Sequence, residues 1–189
     1  MQLVIMASGD GSNFEAIAKA CQSGQLKATV KLLICDKEDV NVLKRAQKYN
    51  IKTEIVLLKN FTSKQEYEKK IVKLIKKENP DLICLAGYMK IINETILQAY
   101  EGKIINIHPS LLPQYKGKDA VYNALANQEV EIGATVHYVN QYIDDGRIID
   151  QIKFNIAGLT EVEVFQKLHT HEHLLYIRVL KQFYQNKNN

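Results

Sequence analysis

The chain has 189 residues, 46% of them hydrophobic and 24% charged, which is typical of a soluble globular protein with one domain. Its net charge of +4 suits small anionic substrates and is too weakly basic to indicate nucleic acid. Three cysteines far apart in the sequence, together with the lack of a long apolar run or a signal peptide, predict a reduced, cytoplasmic protein without a membrane partner.

Predicted strands and helices alternate along the first half of the chain. The apolar run at residues 2–7 is typical of a buried parallel strand, and further strands are predicted at 29–35, 53–58 and 81–86. Helical apolar periodicity between these strands predicts helices that begin near Phe14 and that span 40–49 and 63–78. Repeated β–α–β units predict an α/β fold with a mostly parallel, twisted sheet and helices on both faces.

A polar turn, SGDGSN at residues 8–13, joins the first strand to the first helix. Backbone N–H groups at a helix N-terminus favour phosphate, so the turn is a candidate phosphate site. Ser12 and Glu15 also fit a capping box, which explains the same residues without a ligand. Glu15 would repel a bound anion if its carboxylate faced the site.

The same turn also resembles a dinucleotide-binding pattern. Gly9 and Gly11 are followed by Asp36 at the end of the next predicted strand. In that pattern a third glycine lets the helix pack closely against the strand, but Phe14 stands here. A nicotinamide cofactor, and with it an oxidoreductase, is therefore disfavoured.

The central strand of the second half, predicted at residues 103–108, ends in two polar residues. Asn106 and His108 share one face because strand side chains alternate, and Pro109 ends the strand. An amide donor beside an imidazole predicts a reaction in which an oxygen becomes anionic. The alternative is an asparagine that caps a loop and a half-buried histidine without a ligand.

Two loops flank this central strand in the predicted fold. Residues 87–92 follow the fourth strand and form either a pocket wall or a loop packed into the core. Helices are predicted at 94–100 and 120–127, and strands at 134–140 and 147–154 form a C-terminal strand connection through Asp144. Aspartate and glycine suit any turn, so Asp144 matters only if its loop folds over His108, where it would favour the imidazolium.

The long final helix is predicted to carry one carboxylate on its apolar face. Thr160 and Glu163 predict a capping box, and Glu172 lies within the apolar stripe that follows. A core-facing carboxylate requires either a basic partner or a ligand hydroxyl, and both alternatives stay open. Of the nearby histidines only His169 and His173 share a face, so metal binding is not predicted.

Three motifs together give the chain a recognisable pattern. SGDGSN at 8–13, NIHPSLLPQYKG at 106–117, and ATVHYV followed by IDDG at 143–146 resemble the folate-dependent formyltransferase family over nearly the whole chain. The resemblance implies a Rossmann-like formyltransferase domain over residues 1–189. Its nucleotide-phosphate half would be about 1–100, and its folate and catalytic half about 101–189.

The resemblance also implies site residues. Asn106, His108 and Asp144 would be catalytic, while Gly11, Ser12 and Asn13 would bind the phosphate of 5-phosphoribosylglycinamide and Glu172 its ribose. The residues that would contact the donor, 10-formyltetrahydrofolate, are Lys64, Met89, Lys90, Ile91, Ile92, Asn106, Asn140, Gln141, Tyr142, Ile143 and Asp144. The sequence departs from the family pattern at Lys64 and at Arg147, where arginine and proline are common.

The implied reaction is direct formyl transfer to the amine of phosphoribosylglycinamide in purine biosynthesis, without a metal. Alternatives are hydrolysis of the donor, formyl transfer to another amine, and a non-catalytic ligand-binding domain. A non-catalytic domain would not explain why Asn106, His108 and Asp144 occur together. The expected partners are the two small-molecule substrates alone, with the protein a monomer or a homodimer.

Overall fold

A computed structural model describes residues 1–188, which form one seven-stranded sheet with six α-helices. The strands are β1 (Gln2–Ala7), β2 (Thr29–Cys35), β3 (Thr53–Ile55), β4 (Leu82–Leu85), β5 (Ile104–His108), β6 (Glu131–Tyr138) and β7 (Ile148–Asn155). The helices are α1 (Ser12–Gln22), α2 (Asn41–Lys48), α3 (Lys64–Glu78), α4 (Glu94–Ala99), α5 (Ala120–Ala126) and α6 (Glu161–Asn188).

The strand order is β3-β2-β1-β4-β5-β6-β7. The first five strands pair in parallel, whereas β6 and β7 pair antiparallel, so the predicted fold class and C-terminal strand connection are confirmed. Residues of α1, α2, α5 and α6 share one core cluster, and residues of α3 and α4 share a second cluster. The helices therefore cover both faces, and the chain reverses its winding direction between β1 and β4, where open α/β sheets bind ligands.

Two predicted strands differ from the observed bounds by three residues at one end, and the others by one residue at most. The strand predicted at 53–58 ends at Ile55, because Ile55 pairs with the last residue of β2 and the following residues have no ladder partner. The strand predicted to begin at residue 134 begins at Glu131 and includes Gly133. A Cβ at Gly133 would lie 2.1 Å from the backbone oxygen of Ile152, so glycine permits a close approach within the sheet and does not mark a turn.

The two predicted capping boxes have different outcomes. At α6 the box is confirmed, because the N–H of Thr160 donates to the Glu163 carboxylate at 2.8 Å and the Glu163 N–H donates back to the threonine hydroxyl at 3.4 Å. At α1 it is wrong: the N-cap residue is Gly11, and no side chain caps the helix.

The three cysteines are free thiols, with Cys35 and Cys84 buried and Cys21 half-buried. Burial raises the pKa of the Cys21 thiol to about 11, so it stays protonated and unreactive near neutral pH. No helix within residues 1–188 combines the length and the apolar character that crossing a membrane requires.

Candidate active site

Three polar side chains that are far apart in the sequence meet at the carboxyl end of β5. The Asp144 carboxylate lies 3.2 Å from Nδ1 of His108, and Nδ2 of Asn106 donates to the same carboxylate at 3.4 Å. Asn106 and His108 occupy one face of β5, and the segment 139–147, called the Asp144 loop below, closes over that face. The structure thus brings together the three residues that the sequence marks as catalytic.

The partners of His108 determine where its protons lie. Nε2 of His108 is 2.8 Å from the backbone oxygen of Tyr115, and a carbonyl oxygen only accepts, so Nε2 must donate. An attractive contact between Nδ1 and Asp144 requires a second proton on the ring. A ring with both protons is the imidazolium, so the geometry favours the charged form of His108.

Asp144 is held as a carboxylate although it is largely buried. Burial alone would raise its pKa, but contacts with His137 and His108 and a hydrogen bond from the Gly117 N–H hold the pKa below its ordinary value. A negative charge therefore faces His108 throughout the neutral range.

His137 is a fourth member of this group, and the sequence reasoning missed it. It pairs with Asn106 across β5 and β6, and its Nε2 lies 3.3 Å from Nδ2 of Asn106. Nδ1 of His137 donates to the backbone oxygen of Tyr138 at 2.8 Å, and its Nε2 also lies 3.5 Å from the Asp144 carboxylate. His137 and Asp144 together orient the Asn106 amide with its N–H groups towards the site. The alternation in ATVHYV predicts an inward face for His137, but only the strand register places it opposite Asn106.

Local contacts hold the Asp144 loop against the loop that follows β5. Lys116 forms an ion pair with Asp145, and the Gly117 N–H donates to Asp144 at 2.9 Å. At Gly146 a Cβ would lie 1.6 Å from the backbone oxygen of Tyr138, so no larger residue fits there without moving the loop.

The turn before α1 presents unused backbone donors, as expected for a phosphate site. Within residues 1–188 the backbone N–H groups of Gly11, Ser12 and Asn13 have no acceptor. Gly11 has a φ of +78°, and a Cβ there would lie 2.4 Å from Val42, so this turn requires glycine. Three convergent N–H groups at a helix N-terminus favour an anion.

Glu15, which would repel an anion, is turned away and neutralised. Its carboxylate is paired with Arg45 and, at 2.8 Å, with Nζ of Lys48. Arg45 also binds Asp10, donating from Nε to the backbone oxygen and from Nη2 to the carboxylate, each at 2.8 Å. Arg45 therefore removes the charge conflict and fixes the turn.

Glu172 faces the first turn of α1, and within residues 1–188 no basic side chain pairs with its carboxylate. Nδ2 of Asn13 donates to its carboxylate at 3.1 Å, and the side chain is 6% exposed. Burial raises the pKa of Glu172 to about 7, and the hydrogen bond from Asn13 offsets only part of that effect. Oδ1 of Asn13 is buried without a partner, so this pair has unused hydrogen-bonding capacity beside the phosphate turn.

A cleft of about 1080 Å³ lies between the segment 91–102 and the Asp144 loop. Five of the predicted donor-binding residues line it, namely Ile91, Ile92, Asn140, Gln141 and Tyr142. The other predicted donor-binding residues, Lys64, Met89, Lys90, Asn106, Ile143 and Asp144, are not among its lining residues. Lys64 donates to Oδ1 of Asn93, which does line the cleft, at 3.1 Å.

The described residues contain no cluster of three His, Cys, Asp or Glu side chains suited to a metal ion. Within the described residues the histidines of α6 form no such cluster either. The ring of His171 stacks on Phe154 with centroids 4.2 Å apart, and Nδ1 of His171 contacts the backbone oxygen of Lys167 at 2.7 Å.

Comparison with known proteins gives one consistent family. Residues 1–180 match the family model described as formyl transferase. Phosphoribosylglycinamide formyltransferase of Bacillus subtilis is 41% identical over 182 residues, covering 96% of this chain and 93% of that protein. The enzyme of the same name from Escherichia coli is 36% identical over 184 residues, covering 97% and 87%. The crystal structure of glycinamide ribonucleotide transformylase 1 from Geobacillus kaustophilus superposes with a TM-score of 0.91 at 42% identity, covering 96% and 97% of the two chains.

Proposed function

The chain belongs to the formyl transferase family, and from this membership and its site geometry we propose that it formylates phosphoribosylglycinamide. The donor is 10-formyltetrahydrofolate, and the enzyme acts in the cytoplasm in purine biosynthesis. The observation that carries this proposal is the meeting of Asn106, His108 and Asp144 at the carboxyl end of β5.

The reaction forms one C–N bond and breaks another. The neutral amine attacks the formyl carbon, and the carbonyl electron pair moves to oxygen, giving a tetrahedral oxyanion. As this intermediate collapses, the bond to N10 of the folate breaks, N10 gains a proton and the former amine loses one. The chain has to stabilise the oxyanion and move a proton.

Asn106 and His108 are suited to the oxyanion. The Asn106 amide makes two long contacts, of 3.3 and 3.4 Å, which it can exchange for a shorter hydrogen bond to a charged oxygen. The His108 ring, in its imidazolium form, would add a positive charge beside the Asp144 carboxylate. Asp144 is also the carboxylate nearest to these groups, and it is suited to relay a proton through water.

Phosphoribosylglycinamide would bind at the turn that follows the carboxyl end of β1. The N–H groups of residues 11–13 would hold the phosphate, and Glu172 would accept from the ribose hydroxyls. Glu172 comes from α6, so this substrate site would draw on residues from both halves of the chain.

The cleft beside the Asp144 loop fits the donor. Its volume of about 1080 Å³ is sufficient for a bicyclic ring with its aryl tail. Apolar walls at Ile91, Ile92 and Val139 suit the ring faces, and Asn140 and Gln141 supply polar groups.

A transfer assay tests the proposal by following donor consumption spectrophotometrically, with and without phosphoribosylglycinamide. We expect donor consumption to require the ribonucleotide and to yield formylated product in equal amount. Formate release that is independent of the ribonucleotide would instead identify a donor hydrolase, and transfer to other amines alone would identify a different acceptor. A fluorescence titration with NADH addresses the oxidoreductase alternative, and we expect no binding.

A further inference from the structure

One wall of the cleft is a segment without regular secondary structure. Residues 88–93, called the wall segment below, connect β4 to α4, and Ile91, Ile92 and Asn93 line the cleft. Within the described part of the chain, no hydrogen bond involves Lys90, Ile91 or Ile92. Ile92 packs into the core at 6% exposure, and otherwise the conformation of this wall depends on the contacts at its ends.

Helix α3 supplies an anchor at each end of the wall segment. At the first end the hydroxyls of Tyr67 and Tyr88 are 2.5 Å apart. At the second end Oε1 of Glu68 accepts the backbone N–H of Asn93 at 2.7 Å. A third contact, from the Met89 N–H to the hydroxyl of Ser8 at 2.8 Å, ties the segment to the end of β1.

Glu68 is an unusual residue for this position because it is only 1% exposed. Burial raises its pKa, while the N–H groups of Asn93, Thr95 and Ile96 and the charge of Lys64 offset part of this rise. A buried carboxylate is costly, and well-packed apolar side chains often stabilise a core at least as well. A carboxyl group at this buried position is explained if it fixes one backbone position at the start of α4.

We propose that Glu68 is a positioning residue for the formyl donor. Through its hydrogen bond to the Asn93 N–H, it holds Ile91, Ile92 and Asn93 at the cleft surface. Glu68 itself does not line the cleft, so it acts only through the wall segment. This inference rests on the proposed function, because it requires the formyl donor to bind in this cleft.

The test is the variant Glu68→Gln, measured in the transfer assay with each substrate varied separately. Glutamine keeps one acceptor for the Asn93 N–H but removes the charge, and it replaces the second oxygen, which is buried without a hydrogen-bond partner within residues 1–188, with an NH2 group. We expect the KM for 10-formyltetrahydrofolate to rise about tenfold. This factor corresponds to about 1.4 kcal/mol, which is the scale of one lost hydrogen bond to a charged group. The KM for phosphoribosylglycinamide and kcat at saturation should stay within about twofold, because a ground-state contact with the donor alone is weakened.

Two further variants separate positioning from folding. Glu66→Gln changes the same charge two residues away on the exposed side of α3, and should leave both KM values unchanged. Glu68→Asp keeps the charge on a shorter side chain, so its donor KM should lie between those of the wild type and Glu68→Gln. If Glu68→Gln does not fold, Glu68→Asp decides the question by the same measurement.

An unchanged donor KM in folded Glu68→Gln and Glu68→Asp, or an equal rise in both KM values, would overturn this inference and leave the proposed function intact. Absence of transfer by the wild-type enzyme would overturn the proposed function, and this inference with it.

Discussion

Replacement of Glu172 by glutamine should stabilise the protein above neutral pH and weaken its binding of phosphoribosylglycinamide. The pKa of this carboxyl is raised from an ordinary value of 4.5 to about 7, with burial as the main cause. Between these two pH values the folded protein keeps a proton that the unfolded chain has released, so stability falls as pH rises through this window. At about 1.4 kcal/mol per pH unit, the full effect is about 3 kcal/mol, and it is complete above pH 7.

The measurement is urea unfolding of the wild type and of Glu172→Gln at several pH values from 4.5 to 8. Glutamine does not titrate and keeps an acceptor for Asn13, so the stability difference between the proteins reports on this one carboxyl. We expect the variant to gain about 3 kcal/mol relative to the wild type across this range. The matched control Glu161→Gln, an exposed carboxylate on the same helix, should show no such trend.

The same variant should also bind its substrate less tightly. A carboxylate that accepts from ribose hydroxyls contributes about 1.5 to 3 kcal/mol, so the KM for phosphoribosylglycinamide should rise about tenfold or more. A stability difference that varies by less than about 0.5 kcal/mol with pH would refute the assignment of a raised pKa to Glu172. An unchanged KM would refute its contact with the ribose.

Two further substitutions test the supports of the site. Arg45→Ala leaves Asp10 with its Asn41 hydrogen bond but without its paired cation, and it reduces the cations paired with Glu15 to Lys48, so the KM for phosphoribosylglycinamide should rise about tenfold while the donor KM stays constant. In steady-state kinetics, an equal rise in both KM values would contradict a role confined to the phosphate turn. Gly146→Ala places a methyl group against a backbone oxygen, so we expect a loss of roughly 1 to 3 kcal/mol in the free energy of unfolding and lower turnover. Unfolding and activity equal to the wild type would show that the Asp144 loop adapts without cost.

Local patterns predicted the order of strands and helices because hydrophobic periodicity reflects which face of each element is buried. They failed where a distant residue decides the outcome. The pairs Ser12–Glu15 and Thr160–Glu163 have the same spacing, but only the second forms a capping box. Arg45, 30 residues away, pairs with the Glu15 carboxylate, and sequence spacing contains no information on such a contact.

In the candidate site, too, local patterns predicted some features, whereas others depended on contacts between distant residues. Strand alternation alone places Asn106 and His108 on one face, whereas the approach of Asp144 followed only from the family resemblance. His137 was missed because its role depends on the antiparallel register that sets it opposite Asn106. The burial of Glu68 could not be predicted from the sequence, because a glutamate on a lysine-rich helix resembles any solvated side chain until the packing of α3 against α4 is known.

The central claim is that the Asn106 amide stabilises the oxyanion, and turnover of Asn106→Ala with both substrates at saturation tests it most directly. We expect kcat to fall by about a hundredfold or more, with both KM values within a few-fold of the wild type, because one transition-state donor is lost. Asn123→Ala, which removes an exposed amide on α5, should retain full turnover. Wild-type turnover by Asn106→Ala would contradict the claim.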